Sequence, residues 1–150
     1  MRRTIIVAFS LAACSGAAAG EPPPYPGCAL DRRVSACLED SGNSYDMLAC
    51  YKPAIAELER DLDARLERFR GDNRRERSAL VQAIDAAQKA WLASRGADCG
   101  AVATEWEGGS GKRGAIVACL YASTLARSRW FWRWHEDWGE GDDRCPEPDP

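Results

Sequence analysis

The sequence predicts an all-α protein: a disulfide-stapled helical hairpin followed by a third long helix. Three observations lead there. Beyond residue 44 the apolar side chains recur at steps of three and four, among many Ala, Leu, Arg and Glu residues, all good helix formers. Runs of alternating β-branched residues, from which a sheet is built, are absent. Six cysteines lie beyond residue 27, an even number that in an exported chain reads as a disulfide framework.

Export is expected from the first residues. Arg2 and Arg3 are followed by an uncharged apolar run from Thr4 to Ala13. That run is too short to span a bilayer and has the length and flanks of a signal core. Residues 1–19 are therefore expected to be a signal peptide, by one of two routes. Leu11-Ala12-Ala13-Cys14 resembles a lipobox, with cleavage after residue 13 and lipidation of Cys14. Ala17-Ala18-Ala19 offers instead an A-x-A site with cleavage before Gly20. The first route accounts for Cys14 and for the spacer behind it. Either route leads to the periplasm or the outer cell envelope, lipid-anchored in the first case.

The remaining elements follow in order. Residues 20–36 read as a Pro-rich linker and the start of a short helix, with Leu30, Val34 and Leu38 on one face of residues 29–40. Ser41 to Ser44 breaks it, and Ser44 is expected to cap the next helix with Asp46 in its first turn. Pro53 either kinks that helix or marks a fresh start. Ile55, Leu58, Leu62, Leu66 and Phe69 then form an amphipathic stripe, with mixed charges on the other faces. Gly71-Asp72 is expected to end it. Asn73 with Glu76 resembles a cap for a helix from about Arg74 to Ala97, whose inward residues would be Leu80, Ile84, Ala87, Trp91 and Leu92. A loop, Gly108 to Gly111, leads to a last helix from about Ala115 to Trp138 with Ile116, Leu120, Thr124 and Arg127 on one face. Residues 131–150 are its Trp-rich end and an acidic, Pro-rich tail.

Six cysteines allow fifteen connectivities. Chain order and helix geometry favour Cys37 with Cys50, Cys99 with Cys119, and Cys28 with Cys145. Zinc is a poor rival, because no C-x-x-C knuckle is present and His135 is the sole histidine. No cofactor or metal is expected. The formal net charge is −3. Without Arg2 and Arg3 the basic residues number 20 − 2 = 18 against 23 acidic ones, giving −5. Such a surface argues against nucleic acid and for solubility or a basic protein partner.

Residues from about Cys37 to Trp130 resemble the LprI-type lysozyme-inhibitor family. The pieces that match are Asp46-Met47-Leu48-Ala49-Cys50, Ala56-Glu57-Leu58, Gln88-Lys89-Ala90-Trp91 and Arg95-Gly96-Ala97-Asp98-Cys99. Gly108-Gly109-Ser110, Cys119, Thr124 and Arg127 complete the set. The chain departs from the family pattern at Leu48 and Glu59, where Asn is usual, and near Leu62, where an aromatic is usual. The resemblance over residues 37–130 implies an exported, disulfide-bonded helical domain that inhibits lysozyme. Fold transfers more safely than activity.

Three groups of residues are candidate sites. Gln88, Trp91, Arg95, Thr124 and Arg127 form either a polar contact surface or, the favoured reading, a structural cluster: Trp91 a plug, the two arginines serving buried partners or helix-end carbonyls. Ser110, Lys112 and Arg113 are candidate partner contacts. Lysozyme carries two catalytic carboxylates in its cleft, and a cation on a narrow loop can pair with one. The ordinary alternative is a plain interhelical connection. Trp130, Trp134 and Trp138 recur at i, i+4 and i+8, which predicts one inward stripe and leaves Phe131 and Trp132 facing elsewhere. Trp132 and Trp134 are candidate contacts for a protein, a sugar or a membrane interface. The alternative is packing over the hairpin. No nucleophile with a supporting base is visible, so an enzyme is not expected. The leading reading is a secreted or lipid-anchored inhibitor of lysozyme. The other is a structural or stress-related envelope protein that binds another partner, or peptidoglycan, through the Trp-rich helix.

Overall fold

The structure, a computed structural model, describes Tyr25 and residues 27–135. The signal segment, Cys14, Trp138, Cys145 and the acidic tail lie outside the described residues.

Four helices make up the described chain, with no strand among them: α1 (Gly27–Glu39), α2 (Ser44–Asn73), α3 (Ser78–Glu105) and α4 (Lys112–His135). Helix α1 buries Cys28, Leu30 and Val34. The spacer reading stops short of Tyr25, which is buried and donates from its hydroxyl to Ser128 Oγ at 2.7 Å.

Asn43, not Ser44, caps α2. Its Oδ1 accepts from the amides of Tyr45 (2.8 Å) and Asp46 (3.2 Å). In return the Asp46 carboxylate accepts from Gly42 N at 3.0 Å and Asn43 Nδ2 at 2.8 Å. These reciprocal bonds satisfy orphan donors of the first turn. Ser44 is left to donate to the Ser110 carbonyl. The helix runs through Pro53 without a break. Proline removes one bond, to the carbonyl four residues back, and Ala49 lies on the exposed side, where water can replace it.

Asn73 ends α2 rather than opening α3. Its Nδ2 donates to Phe69 O at 2.9 Å, and Arg77 takes the N-cap position of α3 without a side-chain cap bond. Helix α3 continues to Glu105, two turns past the predicted end, and buries only Ile84 and Cys99. Ala87 and Leu92, expected to point inward, are exposed. The reason is that α3 is covered along one narrow stripe, Ile84, Gln88, Trp91, Arg95 and Cys99. Alanines lie on the other faces.

The side-chain contacts set the directions. The start of α2 meets the start of α4 (Ser44 with Ser110) and their ends meet through Phe69 and Phe131, so these two helices run parallel. Helix α3 returns antiparallel to both, and α4 takes most of the packing from α2 and α3. Helix α1 runs back along α2, from Cys37–Cys50 toward Arg33–Glu57. Ala54 and Leu58 of α2 pack with Leu30, Val34, Tyr121, Leu125 and Trp132. Leu62, Leu66 and Phe69 pack with Ile84 and Phe131. The α2 stripe read from the sequence thus serves two joined cores.

The Trp-rich end departs from expectation at three positions, while Trp134, expected inward, does pack against Phe69. Phe131 and Trp132 are buried, whereas Trp130 is 44% exposed. Phe69 meets Phe131 edge-on and Tyr25 meets Trp132 edge-on, so partners far away in sequence decide which ring goes in. Trp132 is therefore a core residue and not a surface contact.

Disulfides join Cys37 to Cys50 (Cα–Cα 5.7 Å) and Cys99 to Cys119 (5.6 Å), as predicted. Closing loops of these lengths stabilises by about 3 kcal/mol each in the chain-entropy account. Cys28 is also disulfide-bonded; its expected partner Cys145 lies outside the described residues. No helix among the described residues is long and apolar enough to cross a membrane.

Candidate functional site

The five motif residues come together between α3 and α4. Thr124, with no exposed surface, donates from Oγ1 to Leu120 O at 2.7 Å and accepts from Arg95 Nη1 at 2.9 Å. The same nitrogen donates to Glu59 Oε1 at 2.7 Å. Arg127 donates from Nε to Gln88 Oε1 at 3.0 Å. Trp91 lies among them: the Arg95 guanidinium sits 4.7 Å from its ring centre and that of Arg127 5.9 Å. Arg127 also covers Trp130 at 4.5 Å, and Trp130 stacks on Trp134 with the planes 4° apart. The result is a continuous ladder of cations and indoles across two helices. Burial pushes the Arg127 guanidinium below its ordinary pKa, because the charged form is desolvated.

This ladder is built as structure. Most of its polar atoms bond one another and each arginine bonds a group on another helix, while Arg127 Nη2 is buried with no hydrogen-bond partner among the described residues. Glu59, absent from the sequence-derived motif, completes it from α2. The one signal for Glu59 was that it departs from the usual Asn.

The loop between α3 and α4 is more ordered than a plain connection. Gly108 takes a positive φ of 76°, which suits glycine. The Trp106 ring lies over Gly111, where an added Cβ would stand 2.6 Å from it. Lys112 pairs with Glu107 across the neck of the loop, and that pairing holds the Glu107 carboxyl below its usual range. Of the three predicted contacts, Ser110 gives its carbonyl to Ser44 and Lys112 is engaged with Glu107. Arg113 donates to Tyr45 Oη at 3.1 Å and sits 5.2 Å from the Tyr45 ring centre. Tyr45 and Trp106 were not singled out from the sequence, yet they are 66% and 46% exposed beside this loop.

A third polar group ties α1 to α4. Asp31 accepts from Tyr121 Oη at 2.7 Å and from Arg129 Nη2 at 3.2 Å. Burial first, then the bond to Asp31, raises the Tyr121 phenol well above the ordinary tyrosine range. Nearby, Tyr25, Gly27, Leu30, Glu57, Leu58 and Asp61 line a cavity of about 200 Å³. His135 stacks on Phe131 and meets Phe69 edge-on. Among the described residues no three His, Cys, Asp or Glu side chains are grouped to hold a metal ion.

Comparison with known proteins gives one family. The family described as "Lysozyme inhibitor LprI" matches residues 36–131, well over half of the chain. No curated protein matches, and no solved structure does. The chain belongs to the LprI family.

Proposed function

We propose that this LprI family member is an exported protein, secreted or held to the envelope by a lipid on Cys14, that inhibits lysozyme by protein–protein binding. The observation that carries the reading is the family match over residues 36–131. The charge supports it: residues 20–150 carry 18 basic and 23 acidic groups, 18 − 23 = −5, and lysozyme is a basic enzyme. Opposite net charges speed encounter, and added salt slows it. The bundle is stapled by disulfides, which suits an oxidising compartment.

The test is a lytic assay. The purified, oxidised protein is titrated into c-type lysozyme acting on cell walls. Inhibition at near-stoichiometric ratios, weakened by salt and lost on reduction, is the expected result. A folded, oxidised protein that leaves lysis unchanged refutes the reading for this enzyme.

A second reading rests on Trp130, which is half-exposed and stacked on Trp134. Such a pair can stack on sugar, so the protein would bind peptidoglycan or another envelope partner through its Trp-rich helix. Sedimentation with purified peptidoglycan, lost in Trp130→Ala, separates this from inhibition.

A further inference from the structure

We propose that the face formed by Tyr45, Trp106 and Arg113, at the end of the bundle where α2 and α4 begin, is the surface that enters the substrate cleft of lysozyme. The proposal rests on the inhibitor reading and assigns it a place.

Tyr45 and Trp106 are two of the four large apolar side chains that stand exposed among the described residues. Tyrosine, tryptophan and arginine dominate the residues that carry binding energy at interfaces. Here Arg113 lies against Tyr45, the Trp106 ring lies over Gly111 two residues before Arg113, and each is held in place. The Asn43 cap fixes the backbone amide of Tyr45. Ser44 ties the same turn to the Ser110 carbonyl. Gly114 lies so close to Met47 Sδ that an added Cβ would stand 2.8 Å away, which locks α4 onto α2 below the face. Gly111 gives room for the Trp106 ring, and the Glu107–Lys112 pair closes the loop beneath it. A face already ordered loses little conformational entropy on binding.

The partner chemistry follows from the groups presented. Arg113 is exposed, and among the described residues it has no carboxylate partner; it is held by the hydroxyl and ring of Tyr45. A guanidinium so placed keeps donors for a carboxylate, and its planar fork favours a two-point contact. A retaining glycosidase presents two carboxylates about 5 Å apart in a cleft shaped for sugar rings. Two exposed aromatic rings beside a cation fit such a cleft: the rings stand where sugars stack and the cation meets an acid. The other exposed indole, Trp130, lacks this arrangement: its neighbour Arg127 is half-buried, bonds Gln88 and lies over Trp91, and the guanidinium nitrogen it leaves without a partner, Nη2, is buried away from the surface. The outward face of α3 is mostly Ala and Gly and offers no comparable anchor.

The experiment compares wild type with Tyr45→Ala, Trp106→Ala and Arg113→Glu, taking Leu92→Ala, at an exposed position of α3, as control, in the lytic assay and in direct binding to c-type lysozyme. A chitin oligosaccharide that fills the cleft serves as competitor. Trp106→Ala and Arg113→Glu are expected to weaken inhibition by about 30-fold or more, the range of a binding hot spot. Leu92→Ala should stay within about twofold, and the oligosaccharide should displace the wild-type protein. Circular dichroism and melting temperature establish that each variant is folded. If Trp106→Ala does not fold, Arg113→Glu decides, since its side chain lies on the surface. A wild type that inhibits alongside variants that inhibit equally well overturns the assignment of the face and leaves the inhibitor reading standing. A wild type that is folded and inert overturns both.

Discussion

Thr124→Val removes one oxygen from the centre of the motif cluster and leaves the side-chain shape. Thr124 is fully buried and its Oγ1 accepts from Arg95, whose Nη1 keeps a second partner in Glu59 at 2.7 Å. A hydrogen bond to a charged group contributes about 1.5–3 kcal/mol. Because Glu59 remains, the lower figure applies, about 1.5 kcal/mol. The unfolding entropy of roughly 110 ordered residues is about 0.23 kcal/mol/K, so the melting temperature should fall by about 6 °C. Thermal unfolding followed by circular dichroism at pH 7 measures this, and the lytic assay is run well below the transition. The expected outcome is a less stable protein that inhibits as well as wild type. An unchanged melting temperature with inhibition lost would refute the reasoning. The cluster would then face the partner, and the proposed contact face would be in the wrong place.

Two further predictions test the core and its polar tie. Phe131→Ala should cost about 3–5 kcal/mol, as expected for an enclosed aromatic, whereas Trp130→Ala should cost about 1 kcal/mol through the lost stack and cation contact. Denaturant unfolding of the pair distinguishes the observed orientation of the helix from the reverse. The raised pKa of Tyr121 predicts falling stability in alkali. Above pH about 10 an unfolded tyrosine loses its proton while the folded one keeps it, so the unfolded state binds fewer protons and gains population as pH rises toward the folded pKa. Tyr121→Phe should flatten that decline between pH 9 and 11 while costing about 1 kcal/mol at pH 7, where the bond to Asp31 is lost. An unaltered slope in the variant would show that other groups govern alkaline unfolding.

The parts of the fold legible in the sequence are those that local spacing controls. Leu58, Leu62, Leu66 and Phe69 lie on one face of any α-helix, so their burial could be read directly. Cys37 with Cys50 and Cys99 with Cys119 are near in sequence, and short connections favour such pairs. Spacing fails where every face carries the same kind of residue. From Trp130 to Trp134 four of five side chains are aromatic, so each face of the helix has a ring and periodicity cannot choose among them. Phe69 and Tyr25 choose, from distant places in the chain. Alanine has the same effect in α3. With Ala at positions 83, 86, 87, 90, 93 and 97, an inward stripe could be drawn on several faces. Among the site residues, Gln88, Trp91 and Arg95 were legible because they share one helix. Glu59 and Tyr45 were not, because only the packing of α2 against α3 and α4 brings them in.

The motif cluster and the proposed contact face are linked by geometry. Cys99 precedes Trp106 by 106 − 99 = 7 residues, and Cys119 follows Lys112 by 119 − 112 = 7. The disulfide therefore crosses the two helices about 10 Å from the loop on each side, at a helical rise of 1.5 Å per residue. Below it, Arg95–Thr124 and Gln88–Arg127 hold the same two helices at successive turns. Buried apolar contact alone would leave this spacing loose, since Ile84 and Cys99 are all that α3 buries. Polar and covalent ties supply what the thin apolar stripe lacks. The separation of α3 from α4 at the staple sets the mouth of the loop, and the mouth sets where Trp106 and Arg113 stand. The staple lies nearest the loop, so loss of the single Arg95–Thr124 bond leaves Trp106 and Arg113 in place, whereas reduction of Cys99–Cys119 should weaken inhibition before it unfolds the chain.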